Sequence, residues 1–271
     1  MIFSNVDQLL ALHRSFSTII ERVIQNWDAD NAAIGPHFIS LNPALVPSYS
    51  AYVNNYMAST QALDRLQKNK AMKEWLATVM AKQKSQNMLQ SLLIQPVQRI
   101  PRYILLITDL LKHTPGPHSD YDALGDALEA MKRTADLINE NKRQVEECEV
   151  VREKCLEIQG VESDQLAVPG RYLVKEGALT PAGGKKEDHY VFVFNDLLLV
   201  CLRKGNKKKL KEMIMLDTVQ IIPIPETPNT QHQFRVCTSS RELTFEAENA
   251  MWKNSWVADL KKEFSRAPPK H

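Results

Sequence analysis

Residues 92–114 read LLIQPVQRIPRYILLITDLLKHT, and this stretch decides the architecture. Its apolar positions recur at helical spacing, so it predicts a helix. From residue 89 to 111 the segment is apolar on most sides, which predicts a helix in the middle of a bundle. Two prolines, Pro96 and Pro101, interrupt it. An interior proline removes a backbone hydrogen bond and costs about 3 kcal/mol, so a kinked shape is expected. Ile94, Gln98 and Arg102 step by four and line up on one side. From pattern alone two readings stand: a solvated stripe, or a surface that grips a partner.

Working outward, residues 6–27 carry apolar side chains at Val6, Leu9, Leu10, Leu12, Phe16, Ile19, Ile20, Val23, Ile24 and Trp27, the stripe of an amphipathic helix. Pro36, Pro43 and Pro47 then predict a run of short helices before the pattern resumes at 49–66 and 71–80. Residues 113–120 form a turn. Residues 122–158 hold no proline and predict a helix of about 55 Å, longer than a bundle needs, whose far end reaches toward the next domain.

The character changes at residues 159–170. After Gly170 the period becomes two, with strands expected at 171–179, 189–195, 197–203, 213–219, 233–238 and 241–246 and a turn at 204–208. A final helix at 249–264 is expected to turn Met251, Trp252, Trp256, Leu260 and Phe264 toward the sheet. The fold class is therefore multidomain, α then β. An elongated α-helical bundle over 1–160 precedes a seven-stranded antiparallel β-sandwich or barrel with a C-terminal helix over 166–266.

A length of 271 residues suits two domains. The 34 basic and 32 acidic residues nearly cancel, so no global field favours nucleic acid. Cys148, Cys155, Cys201 and Cys237 fit no metal spacing and read as reduced thiols of a cytosolic protein; Cys148 and Cys155, seven apart, share a helix face. The seven histidines show no ligand spacing. Paired acids, a Ser–His–Asp array and a glycine-rich phosphate loop are not found, and no cofactor is expected. There is no signal peptide pattern and no stretch of about 20 apolar residues.

The 92–114 segment resembles the most recognisable block of the Dbl-homology (DH) domain, L-I-x-P-V-Q-R-I-x-[KR]-Y-x-L-L-L-x-[DE]-L-L-K-x-T. The match includes Gln98-Arg99, Arg102-Tyr103 and Leu110-Leu111-Lys112. Downstream, Leu137-Ile138-Asn139-Glu140-x-Lys142-Arg143 resembles the family's last helix. Upstream, Ile2-Phe3-Ser4-Asn5-Val6-x-x-Leu9-Leu10-x-x-His13 resembles its second block. The later segments Arg171-x-Leu173-x-Lys175-x-Gly177-x-Leu179 and residues 191–199, with Trp256 in the closing helix, resemble the pleckstrin-homology (PH) domain that follows DH domains.

The resemblance implies a guanine nucleotide exchange factor that promotes GDP release from a Rho-family small GTPase, without covalent chemistry. The alternative it leaves open is a non-catalytic DH–PH adaptor. It assigns the GTPase surface to Ile94, Gln98, Arg102, Asn139 and Arg143. Ile94 falls where branched-apolar shape selects among Rho-type GTPases, which points to a Rac-like target. The family's first block, a helix with a glutamate for the first switch, finds no counterpart here. The resemblance then implies exposed apolar surface that would favour a homodimer through it, helix exchange between chains, or reduced stability. For the PH domain it implies anionic phospholipid contact through Lys175, Lys185 and Lys186. The separate basic cluster of Lys207, Lys208 and Lys209 leaves two readings open, a further contact with an anionic leaflet or a solvated turn. Glu187, Asp188 and His189 stand where tight binders carry basic residues, so high-affinity specific binding is not expected. The expected location is the cytoplasm, peripheral at the inner face of the plasma membrane.

Overall fold

The computed structural model describes residues 2–82, 89–182, 189–205, 207–216, 219–228, 230–239 and 241–264. Two compact units emerge, one up to Arg143 and the other from Gln144 onward. The first holds α1 (Val6–Gln25), α2 (Gly35–Gln67), α3 (Lys70–Lys82), α4 (Leu89–His113) and the first part of α5 (Tyr121–Glu157). The second takes the rest of α5, then β1 (Ile158–Gln159), α6 (Ser163–Leu166), β2 (Leu173–Ala178), β3 (Thr180–Pro181), β4 (His189–Phe194), β5 (Leu197–Lys204), β6 (Lys207–Met215), β7 (Gln220–Pro223), β8 (Gln233–Cys237), β9 (Glu242–Glu246) and α7 (Ala250–Phe264).

The middle of the helical unit is α2, which packs against α1, α3 and α4. The expected run of short helices is one continuous helix, although Pro43 and Pro47 lie inside it. Each proline costs about 3 kcal/mol. Burial of Phe38, Leu41, Leu45, Tyr49, Tyr52, Val53 and Leu63 offsets this, at roughly 1.5–3 kcal/mol per large side chain. Pro36 sits in the first turn, where its missing N–H is harmless. The cap comes from far along the chain. The buried carboxylate of Asp120 accepts the backbone N–H groups of Ile34 (2.7 Å) and Gly35 (3.0 Å). Gly35 is required here, because a Cβ would stand 2.5 Å from the Ala123 carbonyl carbon. Farther on, Thr134 donates to the Asn42 side chain (2.6 Å) and Asn141 to Ser50 (2.9 Å), joining α5 to α2.

Helix α4 is not the middle of the bundle. Leu93, Ile100, Tyr103 and Ile107 form one buried stripe, while Leu105 is 68% and Leu106 63% exposed. The physical reason is that α2 already fills the centre, so α4 has only one face to bury among the described helices.

The second unit stacks a five-stranded sheet, β1-β6-β5-β4-β2, on a four-stranded one, β3-β9-β8-β7. Two departures from the expected seven antiparallel strands are the short β1 and β3; β1 pairs with β6 in parallel. The 204–208 stretch is not simply a turn, since β6 starts at Lys207. Its KKKLKEMIM alternates exposed and covered positions as a half-buried strand does. Between the sheets, Val191, Val193, Leu198, Val200, Ile214, Phe234, Val236 and Phe245 pack with Trp256 and Leu260 of α7. The other face of β4 and β5 is buried too. Phe192, Phe194, Leu197, Leu199 and Cys201 lie under Val151, Cys155, Ile158 and Leu166, which explains the unbroken apolar runs of these strands.

In α7 the buried positions are Lys253, Trp256 and Leu260. Met251, expected to face the sheet, is 72% exposed, and Trp252 is exposed with it. The rotation follows from Lys253. Its ammonium donates to the Ile224 carbonyl (2.6 Å) and to Glu226 (2.6 Å), so a residue that reads as a surface cation is satisfied in the interior.

Candidate functional site

On α4, Ile94 is half-buried while Gln98 and Arg102 stand exposed. One turn apart, they meet: the Arg102 guanidinium donates to the Gln98 amide oxygen at 3.0 Å. This bond presents the arginine fork outward and leaves the Gln98 N–H groups free of it. The ridge runs along the turns that Pro96 and Pro101 deprive of backbone bonds. The Tyr52 hydroxyl, buried on α2, supplies a donor to the Leu93 carbonyl (2.9 Å) at the start of that stretch.

Asn139 is exposed on α5, while the preceding residue, Ile138, is buried in the core. Its amide makes no side-chain hydrogen bond to a described residue, so both its donor and acceptor are available to a partner. Arg143 is engaged on its own helix, donating to both carboxylate oxygens of Glu140 (2.9 and 2.7 Å).

The PH-side candidates divide three ways. Lys185 and Lys186 lie outside the described residues. Lys175 is occupied: its ammonium donates to Ser255 (2.7 Å) and Asp259 and lies 5.1 Å from the Trp256 ring centroid. Lys208 is occupied as well, pairing with Glu157 of α5 and covering the Tyr190 ring at 4.6 Å. That hydrogen bond is the main reason the Glu157 carboxyl lies below its usual range. Lys154 completes the cluster with Glu176 (2.6 Å), which holds its ammonium above the usual lysine range. Lys207 and Lys209 remain exposed on β6, with no ion pair to any described residue.

Spacing missed one polar group in the helical unit. His13 of α1 lies between two tyrosine hydroxyls, Nε2 to Tyr49 at 2.5 Å and Nδ1 to Tyr103 at 2.9 Å. Burial first, then the charge of Arg99, pushes the imidazole pKa down. Burial raises Tyr103, and it raises Tyr49 further. An apolar groove of about 550 Å³, lined by Phe16, Ile20, Ile34, Phe38, Leu106 and their neighbours, contains none of the anticipated contact residues.

The cysteines are free among the described residues. Burial pushes the Cys201 thiol up to about 11 and raises Cys155, so neither is a ready nucleophile. Among the described residues no group of His, Cys, Asp and Glu is arranged to hold a metal, and no helix is long and apolar enough to cross a membrane.

The sequence matches the RhoGEF domain family over residues 1–139 and the PH domain family over residues 172–264. Among curated proteins, the human phosphatidylinositol 3,4,5-trisphosphate-dependent Rac exchanger 2 protein is 31% identical over 77% of this chain and 13% of its own length. The Rac guanine nucleotide exchange factor B of Dictyostelium discoideum is 39% identical over 70% of this chain and 16% of its own. The chain thus spans a small part of the relatives it matches. A solved structure of the Vav1 exchange factor superposes with a TM-score of 0.82 at 23% identity, covering 99% of this chain and 72% of that one, which shows the shared fold. With a helical unit matched over more than half of its length and a β-sandwich matched behind it, the chain belongs to the RhoGEF domain family and carries a PH domain after its RhoGEF domain.

Proposed function

We propose that this chain is a guanine nucleotide exchange factor acting on a Rho-family GTPase, with Rac-type proteins as the preferred substrate. The observation that carries the reading is the exposed Gln98–Arg102 pair on the helix that holds the RhoGEF motif. The chemistry is differential binding. A surface complementary to the nucleotide-free GTPase lowers the free energy of that state relative to the GDP-bound one, and GDP leaves faster. No bond is made or broken. Arg102 offers a forked cation to a carboxylate or to carbonyl groups, Gln98 orients it, and Ile94 supplies an apolar shoulder. Asn139, free to donate and accept, suits exposed backbone of a displaced switch segment. Arg143 buttresses the same helix through Glu140. The Rac preference is supported by the names of the two relatives above, both Rac exchangers. Release of fluorescent GDP from a panel of Rho-type GTPases tests the proposal. Acceleration on a Rac-type member supports it. Binding of the nucleotide-free GTPase without acceleration identifies an adaptor instead.

For the PH domain we propose weak contact with anionic membrane through Lys207 and Lys209. Lys175 and Lys208 would have to exchange their partners Asp259 and Glu157 for a headgroup, so the two lysines unpaired among the described residues are favoured. Each lysine near an anionic leaflet contributes about 1 kcal/mol, so reversing both charges should weaken vesicle binding by about tenfold or more. Sedimentation of Lys207→Glu/Lys209→Glu with phosphatidylserine vesicles at physiological salt checks this; equal binding by the wild type and the variant rejects it.

A further inference from the structure

Resting on the exchange reading, we infer that His13 is a positioning residue for exchange: its bonds to Tyr49 and Tyr103 fix the setting of α4 that aims Arg102 at the GTPase. The geometry ties three helices at one point. His13 comes from α1, Tyr49 from α2 and Tyr103 from α4, and both tyrosines are buried. Tyr103 is the residue after Arg102, about 100° around the helix, so a rotation that moves one moves the other.

The need for such a fixture follows from the prolines. Pro96 and Pro101 each delete a backbone hydrogen bond, so the 94–102 ridge is held less by its own helix than ordinary helical segments are. External bonds bracket it instead. Tyr52 grips the Leu93 carbonyl on the N-terminal side, and His13 grips Tyr103 on the C-terminal side. Phe16 and Phe38 close around the Tyr103 ring with centroids at 6.1 and 5.3 Å, so the ring has little room to follow a rotated helix.

The polarity of the contact adds direction. A neutral imidazole has one N–H and one lone pair, so one tyrosine accepts while the other donates. Burial and the Arg99 guanidinium, which lies 5.9 Å from the Tyr103 ring centroid, both favour this neutral form. An aromatic hydrocarbon at position 13 would keep much of the packing and lose both bonds.

The test is a double-mutant cycle on fluorescent GDP release from a Rac-type GTPase, with thermal midpoints measured in parallel. His13→Phe should slow exchange by about tenfold in the otherwise wild-type protein and by no more than about twofold in an Arg102→Ala background, because both changes act through one contact. The midpoint shift from His13→Phe should be the same in both backgrounds. Tyr103→Phe, which removes a single oxygen atom, should slow exchange in the same direction and serves in place of His13→Phe should that variant fail to fold. Additive losses in the two backgrounds, or wild-type exchange by Tyr103→Phe, overturn the inference. A wild-type protein that releases no GDP from any Rho-type GTPase sinks the exchange reading itself, a result distinct from these.

Discussion

Replacing Asn139 by alanine should slow GDP release from a Rac-type GTPase by about thirtyfold or more and leave the thermal midpoint where it was. The two halves of this expectation have separate causes. In the free protein the Asn139 side chain is exposed and unbonded to described residues, so its loss costs the fold almost nothing. In the complex it is expected to satisfy both a donor and an acceptor on the GTPase, and removal of such a central contact costs about 2 kcal/mol or more, which is about thirtyfold in rate. Arg102→Glu should be more damaging. It reverses a charge at the docking surface and sets a carboxylate against the Gln98 oxygen that now accepts from the guanidinium. Stopped-flow release of fluorescent GDP, with circular dichroism melts as the control, measures both variants. Unchanged rates in the two would remove both residues from the proposed surface.

The largest stability effect is expected in the other unit. Trp256→Ala should lower its unfolding free energy by about 3–5 kcal/mol, the usual range for deleting a large buried aromatic. Trp256 is fully buried between the sheets. The neighbouring strand is shaped to it, since a Cβ on Gly177 would come within 3.1 Å of the indole. The Lys175 ammonium over its face would lose that ring and keep only Ser255 and Asp259. A melting midpoint lower by roughly 15 °C or more is the expected reading. A shift of only a few degrees would mean that the two sheets can collapse into the space.

The order of helices then strands and the RhoGEF motif were legible in the sequence, because each rests on a local pattern with a definite period. What escaped reading depends on partners distant along the chain. Pro43 and Pro47 forecast a broken segment, but whether prolines break a helix depends on how much that helix buries, and α2 buries a great deal. The apolar content of α4 suggested a central place; nothing local reveals that α2 already occupies it. The face of α7 turned on Lys253, whose partners Ile224 and Glu226 lie in a loop between β7 and β8. The same holds for the site. Ile94, Gln98 and Arg102 share a helix and their alignment is a matter of spacing, so Gln98 and Arg102 could be expected to meet. Lys175 and Lys208 read as free cations because Asp259 and Glu157 are 84 and 51 positions away. His13 could not be paired with Tyr49 and Tyr103 at separations of 36 and 90.

The division of α5 between two cores bears on how the protein can be dissected. A recombinant fragment that starts at residue 172, where the PH match begins, would leave behind Val151, Cys155, Ile158 and Leu166, the lid over Phe192 and Phe194. Two phenylalanines and two leucines on adjacent strands would then face solvent as a greasy plate, prone to clumping. Starting at Gln144 instead retains the lid, so a β-sandwich fragment that stays dispersed needs the last turns of the preceding helix.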